Sequence, residues 1–350
     1  MTIQAEIGSE FWSVPIKQNV NLVFPMQTQW YISGRGALHA IIRELTDRHT
    51  VAMPSWCCDS MIKPFTDAGF NVRFYPVYWQ DSLVQEISLD CDVLFLMDYF
   101  GYTSAAPDLS GYSGIVIRDV THSIFSSSCC DADYYFGSLR KWCGVWTGGY
   151  AWTKDGHGLS CEQGDDLGYI TLREQAMQLK NCYINRYPDS NGRLVTDKRY
   201  LRLFGEAEEK LDMLGCQPAA ERDVSLARFL NEDVIRARRR ENARVLMDAF
   251  PDWLIFKELN ESDCPLFVPV FVPEGRRNDL RKYLIQNEIY CPVHWPVSTY
   301  HKLTEREQYL YENELSLVCD QRYSKEDMDR TVTLIRMYWE EHSSAHSFYT

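Results

Sequence analysis

Lys141 is flanked by Leu139, Trp142 and Val145, between an expected strand at 133–136 and the glycine turn Thr147-Gly148-Gly149. Among such apolar neighbours an ammonium loses hydration, which suits a lysine to act as a nucleophile or a proton carrier. The competing explanation is a lysine whose stem packs while its head stays in water. Upstream, Ser33-Gly34-Arg35-Gly36 precedes apolar residues at Leu38, Ile41, Ile42 and Leu45, the spacing of an amphipathic helix. Free amides at a helix start attract anions, and Arg35 adds a guanidinium that matches phosphate oxygens. Here the plain alternative is Ser33 capping the helix. Asp119, His122 and Ser138 each follow a short apolar run.

Those residues need a frame. Runs at 50–53, 71–78, 93–97 and 115–117 read as strands, and Asp59 is placed to cap a helix through Met61, Ile62 and Phe65 that closes at Gly69. Alternation of strands with helices or loops predicts an α/β fold around a mostly parallel sheet covered on both faces. Ligands of such sheets gather beyond the carboxyl ends of the strands, so one rim would collect Asp119, His122, Ser138 and Lys141. Residues 1–30 read as an irregular lead-in, and 155–230 as a polar loop-and-helix region that covers a site or meets a second subunit. A long helix follows from Asn231 to near Pro251. Strands at 253–256, 266–272 and 315–319, a helix at 278–286 and a last helix capped by Ser324 and Asp327 then make a small α+β domain. The expected division is a large domain over 1–230 and a small one over 231–350 that includes the connecting helix.

The chain has 36 basic and 49 acidic residues, a formal charge of −13. That balance argues against nucleic acid as a partner, and the arginine run at 236–240 fits the solvated face of a helix. No stretch nears the roughly 18 apolar residues of a membrane span, and no leader pattern opens the sequence, so a cytoplasmic protein is expected. Twelve cysteines include the adjacent pairs Cys57-Cys58 and Cys129-Cys130 but no C-x-x-C, which argues for reduced core cysteines and against a structural zinc or any other metal site.

An anion-binding turn, a carboxylate after a strand and a lysine three residues beyond a serine together match the needs of pyridoxal 5′-phosphate: a lysine for its aldehyde, a carboxylate for its ring nitrogen and amides for its phosphate. The segments SGRGAL (33–38), PSWCCDS (54–60), DYFGY (98–102), RDVTH (118–122), SLRKW with TGG (138–149) and CDQRYSKEDM (319–328) carry a family likeness over nearly the whole chain. In them the chain resembles the DegT/StrS-type sugar aminotransferases, members of the fold-type I pyridoxal-phosphate superfamily. The resemblance implies a homodimer with the active site at the subunit interface. It implies that Lys141 forms the Schiff base and moves the substrate proton, that Asp119 pairs with the ring nitrogen, and that His122 stands near the phenolic oxygen. Ser138 with the backbone of Gly34, Arg35 and Gly36 would take the phosphate, and Trp56 would stack on the ring. His294, in a proline-bracketed loop, falls where the small domain approaches the site, whereas Arg322 reads as structural. Family enzymes acting on nucleotide sugars carry an Asn-aromatic-Arg loop after the lysine. Its nearest counterpart here is Tyr183-Ile184-Asn185-Arg186, which makes Arg186 a substrate candidate. Family dehydratases carry histidine in place of Lys141, so the resemblance favours an aminotransferase taking an amino group from an amino acid such as glutamate to a keto or aldehyde acceptor such as a sugar. Another carbanion reaction on the same cofactor (a lyase or racemase), or a noncatalytic protein of this fold, are the alternatives.

Overall fold

A computed structural model of the chain describes residues 6–20, 23–104, 106–126, 131–164 and 167–343. The pair Cys129-Cys130 lies outside them. The chain runs through β1 (Ile7–Gly8), β2 (Gln29–Tyr31), α1 (Gly34–Ile42), β3 (Thr50–Pro54), α2 (Asp59–Asp67) and β4 (Asn71–Tyr75). A hairpin of β5 (Val77–Gln80) and β6 (Ser82–Gln85) leads to β7 (Val93–Met97), β8 (Ile115–Asp119), β9 (Tyr134–Ser138) and β10 (Gly149–Thr153). Then come α3 (Leu167–Asn185), α4 (Tyr200–Leu211), α5 (Glu221–Ala227) and α6 (Glu232–Ala249). The chain closes with β11 (Val268–Phe271), α7 (Arg277–Gln286), β12 (Ile289–Tyr290), α8 (Glu305–Asn313), β13 (Glu314–Leu317) and α9 (Lys325–Ser343).

Seven strands form one sheet in the order β2-β10-β9-β8-β7-β3-β4. The run from β9 to β4 is parallel, and only β10 opposes its neighbours. Every residue of β7 is buried, as expected of a strand covered on both faces. Because β2, β8 and β9 point the same way, their carboxyl ends lie along one rim. Tyr31 and Ser138 both pair with Gly149 there, and Asp119 pairs with Phe136 one strand over.

The rim is held tightly. Ser33 caps α1, its Oγ accepting the Gly36 amide at 3.0 Å. A Cβ on Gly149 would lie 1.9 Å from the Ser33 carbonyl oxygen, so only glycine lets β10 start against this cap. Ser33→Ala is therefore expected to cost about 1 kcal/mol of stability, read by denaturant unfolding, through the lost cap.

Several expectations need correction. The run 71–78 is two strands, because Pro76 has no amide hydrogen for the ladder and β5 leaves the main sheet to pair with β6. Asp119 is the last residue of β8 rather than the one beyond it. Cys58, not Asp59, occupies the cap position of α2. Residues 253–256 form no strand: a 3₁₀ turn at Pro251–Trp253 leaves only an isolated bridge from Leu254 to Val270. The region 155–230 is a loop-and-helix region as expected, but not a purely polar one: Tyr169, Met177, Phe204 and Leu211 of α3 and α4 are buried, and so are Arg173 and Lys180 of α3. The lead-in is not wholly irregular, since β1 pairs in parallel with β12 and β2 edges the main sheet. Among the described residues, no helix is long and apolar enough to cross a membrane.

Candidate active site

Just past β9, Lys141 ends a 3₁₀ turn (Leu139–Lys141) whose first residue is fully buried and whose amide donates to the Gly148 carbonyl. The turn is pinned again by Trp142, whose buried indole donates to the Thr121 carbonyl at 2.6 Å. Lys141 itself is half-buried, and its Nζ has no hydrogen-bond or ion-pair partner among the described residues.

Lys141 stands where two cavities meet. One, of about 350 Å³, is lined by Gly34, Arg35, Asp119, Ser138 and Lys141. The other, of about 420 Å³, is lined by Lys141, His294, Arg239, Phe267 and Tyr290. Glu10 and Arg140 border both. Each cavity is in the size range of a small-molecule site.

Asp119 is 2% exposed. Burial pushes its carboxyl up to about 6, against the pull of Thr121 and of the Lys141 ammonium. One oxygen accepts the Thr121 amide at 2.8 Å, which fixes the group at the cavity wall. His122 is 1% exposed, and burial, then Lys141 and His294, hold it well below the usual histidine range. Its Nδ1 accepts the Phe100 amide at 3.2 Å, so the ring proton sits on Nε2, which is buried without a partner. A buried donor left unpaired costs free energy, and a ligand oxygen would recover it.

The first cavity thus has a buried carboxylate at one wall and the amides of Gly34 and Arg35 at another. A Cβ on Gly34 would come within 3.2 Å of both the Gly137 oxygen and Ser138 Cβ, so glycine brings the α1 amino terminus against the end of β9. The carboxylate and the amides fit pyridoxal 5′-phosphate, whereas His122 lines neither cavity and keeps its unpaired donor behind the wall. Arg35 lines the cavity, but its Nη1 is drawn to Asp212 at 2.6 Å.

Some expected residues stay outside. Gly36 spends its amide on the Ser33 cap and does not line the cavity. Trp56 is fully buried, stacked on Tyr99 at 5.0 Å, and its indole donates to the His294 carbonyl at 2.8 Å. It packs beneath the site and borders neither cavity. Arg186 is exposed just beyond α3, and Tyr183, Ile184 and Asn185 form the last turn of that helix rather than a loop. Arg322, by contrast, lines the second cavity, but it is committed to Asp320 and to the carbonyls of Ser9 and Glu10, so it braces the amino-terminal segment.

Residues absent from the expected set complete the site. Glu10 is opposed by burial but held below the ordinary carboxylate range by Arg173 and Arg140. Arg239 lines the second cavity and is fully buried, contrary to the solvated face expected of its run; one guanidinium nitrogen is unpaired while another donates to the Leu266 and Pro265 carbonyls. The arginine run at 236–240 marks Arg239 only as helical, because α6 and the amino terminus reach the cavity only through the tertiary fold. Among the described residues, no group of three histidine, cysteine, aspartate or glutamate side chains could hold a metal ion.

No protein-family model matches the chain, and no curated protein sequence does. Solved structures do. Spr1654 of Streptococcus pneumoniae, described as a sugar aminotransferase, matches in its apo form with a TM-score of 0.63 at 13% identity, over 99% of this chain and 100% of that one. PseC of Helicobacter pylori, an aminotransferase of pseudoaminic acid biosynthesis, matches with 0.59 at 12% identity, over 95% and 100%. A DegT/DnrJ/EryC1/StrS aminotransferase from Brucella abortus matches with 0.56 at 14% identity, over 89% and 85%. The chain therefore has the fold of these aminotransferases.

Proposed function

We propose that this chain is a pyridoxal-phosphate-dependent aminotransferase. The observation that carries the reading is the convergence of Lys141, Asp119, Ser138 and Gly34 on one cavity, with Lys141 also opening on a second. Bound pyridoxal phosphate supplies an aldehyde that bonds to amines and a protonated ring that draws electrons from the amine-bearing carbon. Asp119, held rigid by Thr121, would keep the ring nitrogen protonated, and the His122 Nε2–H would face the phenolic oxygen. The Ser138 hydroxyl and the Gly34 and Arg35 amides would bind the phosphate at the positive end of α1. Lys141 Nζ would hold the cofactor, then take the proton from the amine-bearing carbon of the substrate and deliver it to C4′, the cofactor's former aldehyde carbon, in the same half-reaction.

The amino donor would be an amino acid, glutamate among the candidates, and the acceptor a keto or aldehyde compound. The names of the matched enzymes support a sugar as that acceptor. The working form would be a cytoplasmic homodimer, with residues 1–230 as the large domain and 231–350 as the small. The ten described cysteines are all free, in keeping with a reducing compartment. Protein reconstituted with pyridoxal phosphate and mixed with L-glutamate and other single amines should convert the cofactor spectrum to that of pyridoxamine phosphate with at least one of them. A spectrum unchanged by every amine would sink the transfer reading and leave other carbanion chemistry.

A further inference from the structure

The second cavity contains a hydrogen-bonded chain that ends at its surface. His294 lines the cavity, 5% exposed, and its Nδ1 lies 2.9 Å from Ser316 Oγ. Ser316 in turn is hydrogen-bonded to Glu314 Oε1, and Glu314 Oε2 accepts the His294 amide at 2.7 Å. Glu314 and Ser316 are both fully buried on β13. Since Nδ1 is committed to Ser316, the ring nitrogen left for an occupant of the cavity is Nε2.

We propose that Glu314 and Ser316 set which nitrogen of His294 carries the hydrogen, and so decide whether the cavity meets a hydrogen-bond donor or an acceptor beside Lys141. With the carboxyl ionised, Ser316 donates to Oε1 and must accept from Nδ1–H, which leaves Nε2 a bare acceptor. With the carboxyl protonated, Oε2 still receives the His294 amide, so its proton sits on Oε1. Oε1–H then donates to Ser316, Ser316 donates to Nδ1, and Nε2 carries the hydrogen. One proton on Glu314 reverses what the cavity sees two side chains away.

The surroundings allow that proton to move near neutrality. Burial pushes Glu314 up to about 8, opposed by Ser316, the His294 amide and the Arg277 guanidinium on α7. Arg277 donates to the Glu314 carbonyl rather than to its carboxylate. Phe271 on β11 stands opposite, and Cys291 is a neutral thiol pushed up to about 12 by burial. His294 is kept neutral by burial and by Lys141, and the His122 ring, 5.7 Å away, is neutral for the same reasons.

Which molecule meets Nε2 rests on the aminotransferase reading, but the chain itself does not, so the test uses no cofactor and no substrate. Full-length protein carrying ¹⁵N-histidine is titrated by NMR, with His294→Asn identifying the His294 signals. Between about pH 6 and about pH 10, either side of the Glu314 pKa of about 8, the pyrrole-type and pyridine-type signals should exchange between Nε2 and Nδ1. Glu314→Gln, whose amide nitrogen can only donate to Ser316, should hold the low-pH pattern throughout, and Ser316→Ala should abolish the exchange. A wild-type pattern that stays constant over this range, or a Glu314→Gln protein that exchanges as the wild type does, overturns the proposal. If the cofactor spectra fail while the exchange occurs, only the aminotransferase reading is lost.

Discussion

Replacing Lys141 with alanine is expected to lower the half-reaction rate by about 10³-fold or more, because in the proposed reaction the same amine both holds the cofactor and moves the proton. The fold should scarcely notice. Lys141 Nζ has no partner among the described residues, and the turn that carries it is pinned by the Leu139 amide and the Trp142 indole. Unfolding free energy should therefore stay within about 1 kcal/mol of the wild type. Lys141→Arg keeps a positive charge but gives no nucleophile at neutral pH, so it should fail as badly. Stopped-flow spectra with the active amine, beside denaturant melts, would check both halves. An alanine variant within tenfold of the wild-type rate would remove Lys141 from the chemistry.

Asp119→Asn should act in opposite directions on the empty and loaded protein. In the folded chain the Asp119 carboxyl is raised from 3.8 to about 6 by burial. A raised carboxyl favours folding fully only below its unfolded pKa, and the advantage is lost as pH rises through the folded value. The ionised group therefore costs the empty protein about 3 kcal/mol above pH 6, at 1.36 kcal/mol per unit. Asparagine keeps an oxygen for the Thr121 amide and removes the charge. The cofactor-free variant should thus be more stable than the wild type by about 1–3 kcal/mol at pH 8, with the gain vanishing towards pH 4. The loaded protein should show the reverse, with cofactor affinity down about 10²-fold, since a charged hydrogen bond to the ring nitrogen is worth about 1.5–3 kcal/mol. Melts of both forms across pH would read the two effects. A variant that destabilises the empty protein would make Asp119 a structural group.

The contrast between Lys141 and Trp56 explains what was legible in the sequence. Lys141, Ser138 and Asp119 are placed by local rules: each ends or follows a short apolar strand, and parallel strands share a rim. Gly34 is placed by a helix start. Trp56 also follows a strand, β3, but its indole found the His294 carbonyl 238 positions along the chain, and no local pattern encodes that choice. Glu10, Arg239 and the Glu314–Ser316–His294 chain come from elements that meet only in the folded protein. The α3–α4 pair was obscured by its polar outer faces, and α8 by a mostly polar run, although its capping box at Thr304 and Glu307 is a signal that could have been read. The break at Pro76 was likewise visible in the residue type.

If Lys141 bonds to the cofactor as proposed, borohydride reduction should make that bond permanent. Purified protein is saturated with pyridoxal phosphate, reduced, digested and mapped by mass spectrometry. The reduced cofactor should appear on the peptide containing Lys141 and on no other lysine in comparable yield, with the label lost in Lys141→Ala. An unlabelled protein, or a label on a different lysine, would contradict it.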